Sequence, residues 1–286
     1  MISIIIINYN VKKHLKLCLD SISSAYIKYK YEIIIIDNNS IEKIEDLRNV
    51  NIEVFNMDEN LGFSKAVNFG ISKSSGDTIL LLNPDTLINN NTINVLYEYL
   101  SDNSGVGVVG CKVLNSDGSY QLSSKRKLLS IKILISLFFK LNKFFPKSKY
   151  FGSYNYSYEN HNRILDVDSV SGSCMMFKNK ISSLVGGFDE NFFLYFEDTD
   201  FCLQVKKYNY RVVYNPNTSI IHYKRVSINR SDYELRYEFY KSMDYFVKKN
   251  MDEFSNWFFL SKVVTFIKFL SKFYYYKGSK YSLKTL

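Results

Sequence analysis

Residues 2–7 (ISIIII) and 33–36 (IIII) restrict the fold of this chain more than any other feature. β-Branched side chains favour extended backbone, and the near absence of polar alternation excludes a strand with one wet face. Such strands fit the middle of a parallel sheet that helices cover on both sides. Between the two runs, Leu15, Leu19 and Ile22 share a helical face, which makes residues 2–36 a βαβ unit. The alternation continues with a strand at 52–55, a helix at 63–72, a strand at 78–82, a helix near 90–100 and a strand at 106–113. Further strands are expected at 170–177 and 211–214. The expected class is α/β with a doubly wound sheet.

A chain of 286 residues with 46% apolar content can bury one large α/β domain, alone or with an extension. Its formal charge of +9 is uneven, with 21 Lys and Arg against 22 Asp and Glu in residues 1–200 but 16 against 6 in residues 201–286. Residues 125–150 hold eight basic side chains and no acidic one, so two basic zones flank a net acidic body. A basic, aromatic-rich chain has a second reading, as a nucleic-acid binder without catalysis. Against it, the expected ligand edge is acidic and the basic residues fall on amphipathic helices instead of beside exposed stacking aromatics. Nucleic acid is therefore not an expected partner. Cys18, Cys111, Cys174 and Cys202 occur singly, which fits buried thiols in a reducing compartment. The apolar run at 2–7 is too short for a signal-peptide core and has no basic segment before it, so a cytoplasmic protein is expected.

Gly105, Gly107 and Gly110 satisfy the spacing of a dinucleotide-binding fingerprint, but a polar turn precedes them and the segment reads as a Val-rich strand. The more informative residues lie at the carboxyl ends of strands, where open α/β sheets bind ligands. Those ends carry Asn8, Tyr9 and Asn10; Asp37, Asn38, Asn39 and Ser40; and Asn83, Pro84 and Asp85. Pro84 holds Asn83 extended, so Asn83 and Asp85 can point to one side, an arrangement that suits Mg2+ or Mn2+ on a diphosphate. The same tripeptide also fits a turn with a helix cap.

Downstream, Glu197, Asp198 and Asp200 follow the apolar run Phe192, Phe193, Leu194, Tyr195 and Phe196. Phe201, Val205 and Tyr208 then recur at helical spacing, which puts the acids in a first helical turn, where free N–H groups favour negative charge. Capping alone accounts for one such acid. Three behind an aromatic wall point further, because desolvation raises a carboxylate towards the proton affinity of a general base.

Five ordered pieces, IIIINYN, IIIIDNNS, NLGFSKAVNFG, LLLNPD and FLYFEDTDFCLQV followed by His222, resemble glycosyltransferase family 2, most closely its rhamnosyltransferase-like branch, over about residues 2–227. The resemblance implies a GT-A fold: a doubly wound, mixed but mostly parallel sheet with helices on both faces, here with a C-terminal helical extension. It divides the chain into a catalytic domain at 1–230, with a nucleotide-sugar half (1–115) and an acceptor half (116–230), and a basic aromatic extension at 231–286. By the same resemblance Asn8, Tyr9 and Asp37 line the base and ribose pocket, and Asn60, Gly62 and Asn68 shape the donor pocket. Asp85 is the metal-binding aspartate of a DXD-type motif whose first Asp is here Asn83, leaving a less negative site. His222 completes the metal or diphosphate site, and Asp198 is the catalytic base. Glu197 and Asp200 orient the helix, bind acceptor hydroxyls or tune Asp198. The implied donor is a dTDP- or UDP-sugar, the cofactor Mg2+ or Mn2+, and the acceptor a hydroxyl of a glycan or lipid-linked saccharide. With one base and no separate nucleophile, transfer would be a single displacement with inversion.

Two segments are amphipathic. Residues 259–274 align Phe259, Val263, Phe266 and Leu270 opposite Lys262, Lys268 and Lys272, and residues 131–145 align Ile131, Leu134, Ile135, Phe138, Leu141 and Phe145 opposite Lys132, Lys140 and Lys143. Lysines interrupt both well short of the roughly 20 apolar residues of a membrane span. Each stripe fits either packing on the protein's own core or peripheral contact with the inner face of a membrane.

Overall fold

The computed structural model describes residues 1–47, 50–223, 232–250 and 273. The first elements are β1 (Ile2–Asn8), α1 (Lys12–Ser24), β2 (Tyr31–Asp37), β3 (Ile52–Asn56), α2 (Phe63–Lys73), β4 (Thr78–Leu82), β5 (Thr86–Ile88), α3 (Thr92–Asp102) and β6 (Val106–Leu114). Then come β7 (Lys125–Arg126), α4 (Ile131–Phe138), α5 (Leu141–Phe144), β8 (Leu165–Asp166), β9 (Ser169–Val170) and β10 (Cys174–Lys178). The series closes with α6 (Asn179–Val185), α7 (Glu197–Lys207), β11 (Arg211–His222) and α8 (Asp232–Lys249).

Among the described residues, nine strands form one sheet in the order β3-β2-β1-β4-β10-β6-β11-β5, with β8 paired to β11. β1 is parallel to β2 and β4, β2 to β3, and β6 to β11, while β10 runs antiparallel between β4 and β6. β5 and β8 also run against β11, so the sheet is mixed but mostly parallel, as expected. The carboxyl ends of β1, β2, β4, β6 and β11 therefore share one edge with the start of β10. β10, from the second half of the chain, lies between two strands of the first half, so the two halves share one sheet.

The isoleucine runs are buried on both faces because successive side chains of a strand alternate. Ile2, Ile4 and Ile6 pack with Leu15, Cys18 and Ile22 of α1. Ile5, Ile7, Ile34 and Ile36 pack on the other side with Ala66 and Val67 of α2 and Phe201, Cys202 and Val205 of α7. Each such side chain contributes about 1.5–3 kcal/mol by leaving water.

Two expected strands differ in extent. The segment at 170–177 breaks at Ser171–Gly172–Ser173, so that β9 pairs with β7 and β10 enters the main sheet. β11 continues past Tyr214 to His222, with a register shift between Asn215 and Ser219. The GVGVVG segment is β6, and its glycines serve packing: a Cβ at Gly107 would lie 2.5 Å from Val205 Cγ1, and one at Gly110 would lie 2.6 Å from Val170 Cβ.

A third core joins Phe192, Phe196 and Leu203 to Met243, Phe246 and Val247 of α8 and to Leu129 and Ile133. The start of the expected C-terminal extension is thus packed on the body. The amphipathic stripe at 131–145 is divided, since Lys140, with φ of 56°, separates α4 from α5. Of the stripe, Leu134 packs partly buried on the third core, whereas Ile135, Phe138 and Phe145 are exposed, so one edge packs on the core and the other faces water. The stripe at 259–274 lies outside the described residues apart from Phe273. Among the described residues, no helix is long and apolar enough to cross a membrane.

Candidate active site

At the end of β1 and β2, three side chains close on one another. Asn8 Nδ2 donates to Asp37 Oδ1 at 2.8 Å and to Ser40 Oγ at 3.0 Å, and Ser40 Oγ donates to Asp37 Oδ1 at 2.5 Å. Asn8 and Asp37, expected to line a nucleoside pocket, are fully buried, so they brace the loops, while Tyr9 is half-buried and Asn39 is exposed. Among the described residues, Asn8 Oδ1 has no hydrogen-bond partner. The next strand-end residue, Asn38, ties in the Asn60 turn: its Nδ2 donates to Asn60 Oδ1 (2.9 Å) and Gly62 O (3.1 Å), and its Oδ1 accepts from Leu61 N (2.9 Å).

Gly62 occupies a left-handed conformation, φ of 80°, which glycine adopts without steric cost. A Cβ there would also lie 2.7 Å from Phe193 Cδ2 and 2.8 Å from Phe193 O. This close approach lets Phe63 N donate to Phe193 O at 2.7 Å. Asn68 makes the second link. Its Oδ1 accepts from Phe188 N at 2.9 Å and its Nδ2 donates to Phe188 O at 2.8 Å. The NLGFSKAVNFG segment therefore clamps the loop that carries the aromatic run. The Asn68 amide, expected to shape the donor pocket, is thus engaged by backbone at both ends.

At the end of β4, Asp85 Oδ1 lies 3.2 Å from His222 Nε2, and Asn83 Nδ2 lies 3.4 Å from the same nitrogen. Asp85 and His222 side chains are 8% and 12% exposed, and His222 Nδ1 is buried with no hydrogen-bond partner among the described residues. A carboxylate, an imidazole and a carboxamide thus converge, brought together because β5 and β11 pair His222 with Thr86. Among the described residues, no three His, Cys, Asp or Glu side chains gather as a metal site. Asp85 and His222 with the Asn83 carboxamide match the sparse protein ligation of a cation held mainly through substrate phosphates.

Asn83 N donates to Ser173 O at 3.1 Å, and the neighbouring Gly172 N donates to Asp198 Oδ2 at 2.9 Å, so two successive residues connect β4 to the acidic helix. That helix, α7, starts at Glu197 as expected. Tyr195 and Phe196 precede it with φ of 71° and 67°, a conformation that costs about 1–3 kcal/mol for each non-glycine residue. Packing from α8 offsets this, with Phe239 5.7 Å from Tyr195 and 5.4 Å from Phe196, and Phe246 5.5 Å from Phe196.

The three acids have different surroundings. Arg126 Nη2 donates to Asp198 Oδ2 at 2.5 Å, with side chains 18% and 9% exposed. Burial works against the Arg126 charge, but the Asp198 carboxylate more than offsets it, so Arg126 holds its proton more tightly than usual. Among the described residues, Asp198 Oδ1 accepts from the Thr199 hydroxyl, at 3.3 Å. Glu197 is buried, and among the described residues its Oε2 has no hydrogen-bond partner. Burial, followed by the charge of Asp198, pushes its carboxyl up to about 8. The rise in proton affinity expected of a carboxylate behind the aromatic wall is found at Glu197, and the buried Arg126 cation stands against Asp198. Asp200 lies on another side of the helix. Two positions along a helix is a rotation of about 200°, so it faces away from Asp198. Its Oδ2 accepts from Lys249 Nζ at 2.7 Å, fastening α8, and it lines a cavity of about 460 Å3 with Asn68, Asp189, Gln204 and Lys249. Asn83, Asp85, Glu197, Asp198 and His222 do not line that cavity.

Gly172 and Arg126 were not singled out in the sequence, and Asn38 and Ser40 were read only as polar strand-end residues. Lys125 and Arg126 lie in a basic zone that reads as surface, yet Lys125 is fully buried, and burial pushes its amine down to about 8. A pair of β-favouring contacts, Lys125↔Val170 and Arg126↔Ser169, carries both inward.

Comparison with known proteins agrees with this layout. The Haloferax volcanii low-salt glycan biosynthesis hexosyltransferase Agl10 is 26% identical over 248 residues, covering 84% of this chain and 72% of that protein. The Mycobacterium tuberculosis N-acetylglucosaminyl-diphospho-decaprenol L-rhamnosyltransferase is 26% identical over 245 residues, covering 80% and 78%. Among solved structures, the mannosyltransferase PcManGT of Pyrobaculum calidifontis, with GDP-Man and Mn2+, superposes with a TM-score of 0.59 at 15% identity, over 88% of this chain and 64% of that one. S. aureus TarS 1–349 with UDP-GlcNAc gives 0.56 at 18% identity, over 85% and 65%. The chain thus spans a little under two-thirds of these solved chains, and the likeness shows a GT-A fold. The family model of glycosyl transferase family 2 matches residues 3–184, well over half the chain, and with the strand-end loops, the NPD turn and the acidic helix in place on one sheet, the chain belongs to that family.

Proposed function

We propose that the chain moves a hexose, in one reading rhamnose, from a dTDP- or UDP-sugar to a hydroxyl of a glycan or lipid-linked saccharide in cell-surface polysaccharide synthesis. The observation that carries this reading is the link from the Asn83–Asp85–His222 group to Asp198 through Ser173 and Gly172. It joins a diphosphate-binding end to a carboxylate on one sheet edge. The mycobacterial relative's name supports a rhamnosyl donor and a lipid-linked acceptor.

Asp85 and His222 would hold Mg2+ or Mn2+, with Asn83 beside them. When bound, that ion neutralises charge on the departing diphosphate. Asn60 and Gly62, held by Asn38, would shape the sugar end of the donor site, and Tyr9 with the Asn8–Asp37–Ser40 brace would set its nucleoside end. At Asp198, Arg126 and Gly172 N–H fix Oδ2, leaving Oδ1 to receive the acceptor hydroxyl proton. The acceptor oxygen bonds to the anomeric carbon, the bond from that carbon to the phosphate oxygen breaks, and one displacement inverts the centre. Glu197, next to Asp198, would tune it or hydrogen-bond the acceptor.

Residues 1–230 would form the catalytic domain, with 231–286 as an extension whose first helix supports the aromatic wall. Buried free thiols at Cys18, Cys111, Cys174 and Cys202 support a cytoplasmic location, with a lipid-linked acceptor met at the inner membrane face.

The test is release of nucleoside diphosphate from dTDP-, UDP- and GDP-sugars with Mg2+ or Mn2+, followed by assignment of the product anomer by NMR. Asp198→Asn should slow transfer about 10²–10⁴-fold while leaving donor binding nearly intact. Turnover near that of the parent chain would sink the base assignment, and no turnover of any donor by the parent would sink the reaction.

A further inference from the structure

We propose that the outer face of the α4–α5 hairpin docks on an anionic lipid surface. The face is built from Phe139, Phe144, Phe145 and Tyr150, exposed at 62%, 74%, 55% and 73%. Lys132, Lys140, Lys143, Lys147 and Lys149 of the same segment are exposed as well. The inner side is fixed, because Ile133, Leu134 and Leu137 belong to the core that includes Phe192 and Phe196 of the aromatic wall. Ser130 caps α4 through Ile133 N at 3.3 Å, and Ser136 Oγ donates to Phe151 O at 3.0 Å, which returns the chain beneath the hairpin. The rings are therefore presented by a braced element. Neighbouring exposed aromatics mark a surface that something apolar covers.

Charge selects the occupant. No acidic residue lies between Asp117 and Glu159, so the lysines meet no carboxylate from their own segment. A second copy of the same face would bring lysine against lysine. Residues 251–286 carry six Lys against Asp252 and Glu253, so they too are net basic. An anionic bilayer supplies both requirements, acyl chains for the rings and headgroups for the lysines. Arg126, which holds Asp198, is four positions before Ser130, so the docking segment continues directly from the candidate site. The inference goes beyond the transfer reaction and uses no step of it.

The test uses the full chain with vesicles of phosphatidylcholine alone or mixed with phosphatidylglycerol. Sedimentation should show binding to the mixed vesicles and little to the neutral ones. The triple variant Lys143→Glu, Lys147→Glu, Lys149→Glu should lower partitioning about 100-fold or more, from about fivefold per lysine. Phe139→Ser with Phe144→Ser should weaken binding with no fall in melting temperature, since both rings are exposed. As an independent readout, Phe144→Cys carries a polarity-sensitive thiol dye, the native thiols being buried. Its emission should shift to the blue with mixed vesicles. The proposal is overturned if the parent chain does not sediment, if the variants bind as the parent does, or if a single-stranded oligonucleotide shifts the dye and vesicles do not.

Discussion

Arg126→Met isolates the electrostatics of the site. The variant keeps an unbranched side chain of similar reach but removes the cation hydrogen-bonded to Asp198 Oδ2 at 2.5 Å. Both partners are under one-fifth exposed, so solvent screens the pair little. Removing one member of a buried pair costs about 3–5 kcal/mol, most of it from the charge left behind. At about 2–4 °C per kcal/mol for a large domain, the melting temperature should fall by roughly 6–20 °C near pH 8. The loss should depend on pH with a definite sign. Without Arg126, Glu197 and Asp198 are two buried carboxylates whose mutual repulsion raises their proton affinity in the folded state. Stability is then retained in acid and lost as the pH rises towards that higher value, so the deficit should be small near pH 4 and grow towards pH 8. Asp198→Asn in the Arg126→Met background removes the stranded charge and should recover part of the loss. Circular-dichroism melts of the four chains across this range complete the double-mutant cycle. A fall under about 2 °C, set against the 6 °C lower bound worked above, or a deficit independent of pH, would refute the reasoning.

Three further outcomes are expected. Asp85→Ala should abolish metal-dependent donor binding, and calorimetric titration of a nucleotide sugar that gives the same affinity with and without chelator in the parent would count against the site. Gly62→Ala should lower stability by about 1–3 kcal/mol through left-handed strain, with further cost from the 2.7 Å approach to Phe193; an unchanged melt would show that the loop yields freely. Glu197→Gln removes a carboxyl pushed up to about 8, so the native protonated form favours folding in acid and that contribution is lost as pH rises from about 4.3 through 8. Relative to the parent, the Gln chain should therefore gain stability progressively between pH 5 and pH 8 in urea titrations, and a constant difference would exclude the buried ionisation.

The isoleucine runs determined the central sheet by themselves, because side chains that are apolar at every position can be satisfied only by cover on both faces. The ends of β1, β2 and β4 followed, since the turn residues Asn8, Asp37 and Asn83 sit directly after those runs. The start of α7 at Glu197 was legible too, from acids ahead of a helical apolar repeat. What each acid does was not. Sequence spacing gives angles around a helix, enough to separate Asp200 from Asp198, but it does not say what faces each side. Only the tertiary structure brings Arg126 from β7 to Asp198, buries Glu197 beside it, and sets Lys249 of α8 against Asp200. The same holds for Asn68, whose amide clamps a backbone 120 residues away. These pairings join segments far apart in the chain, and their charges and hydrogen bonds depend on burial and distance, which no local pattern of residue types contains.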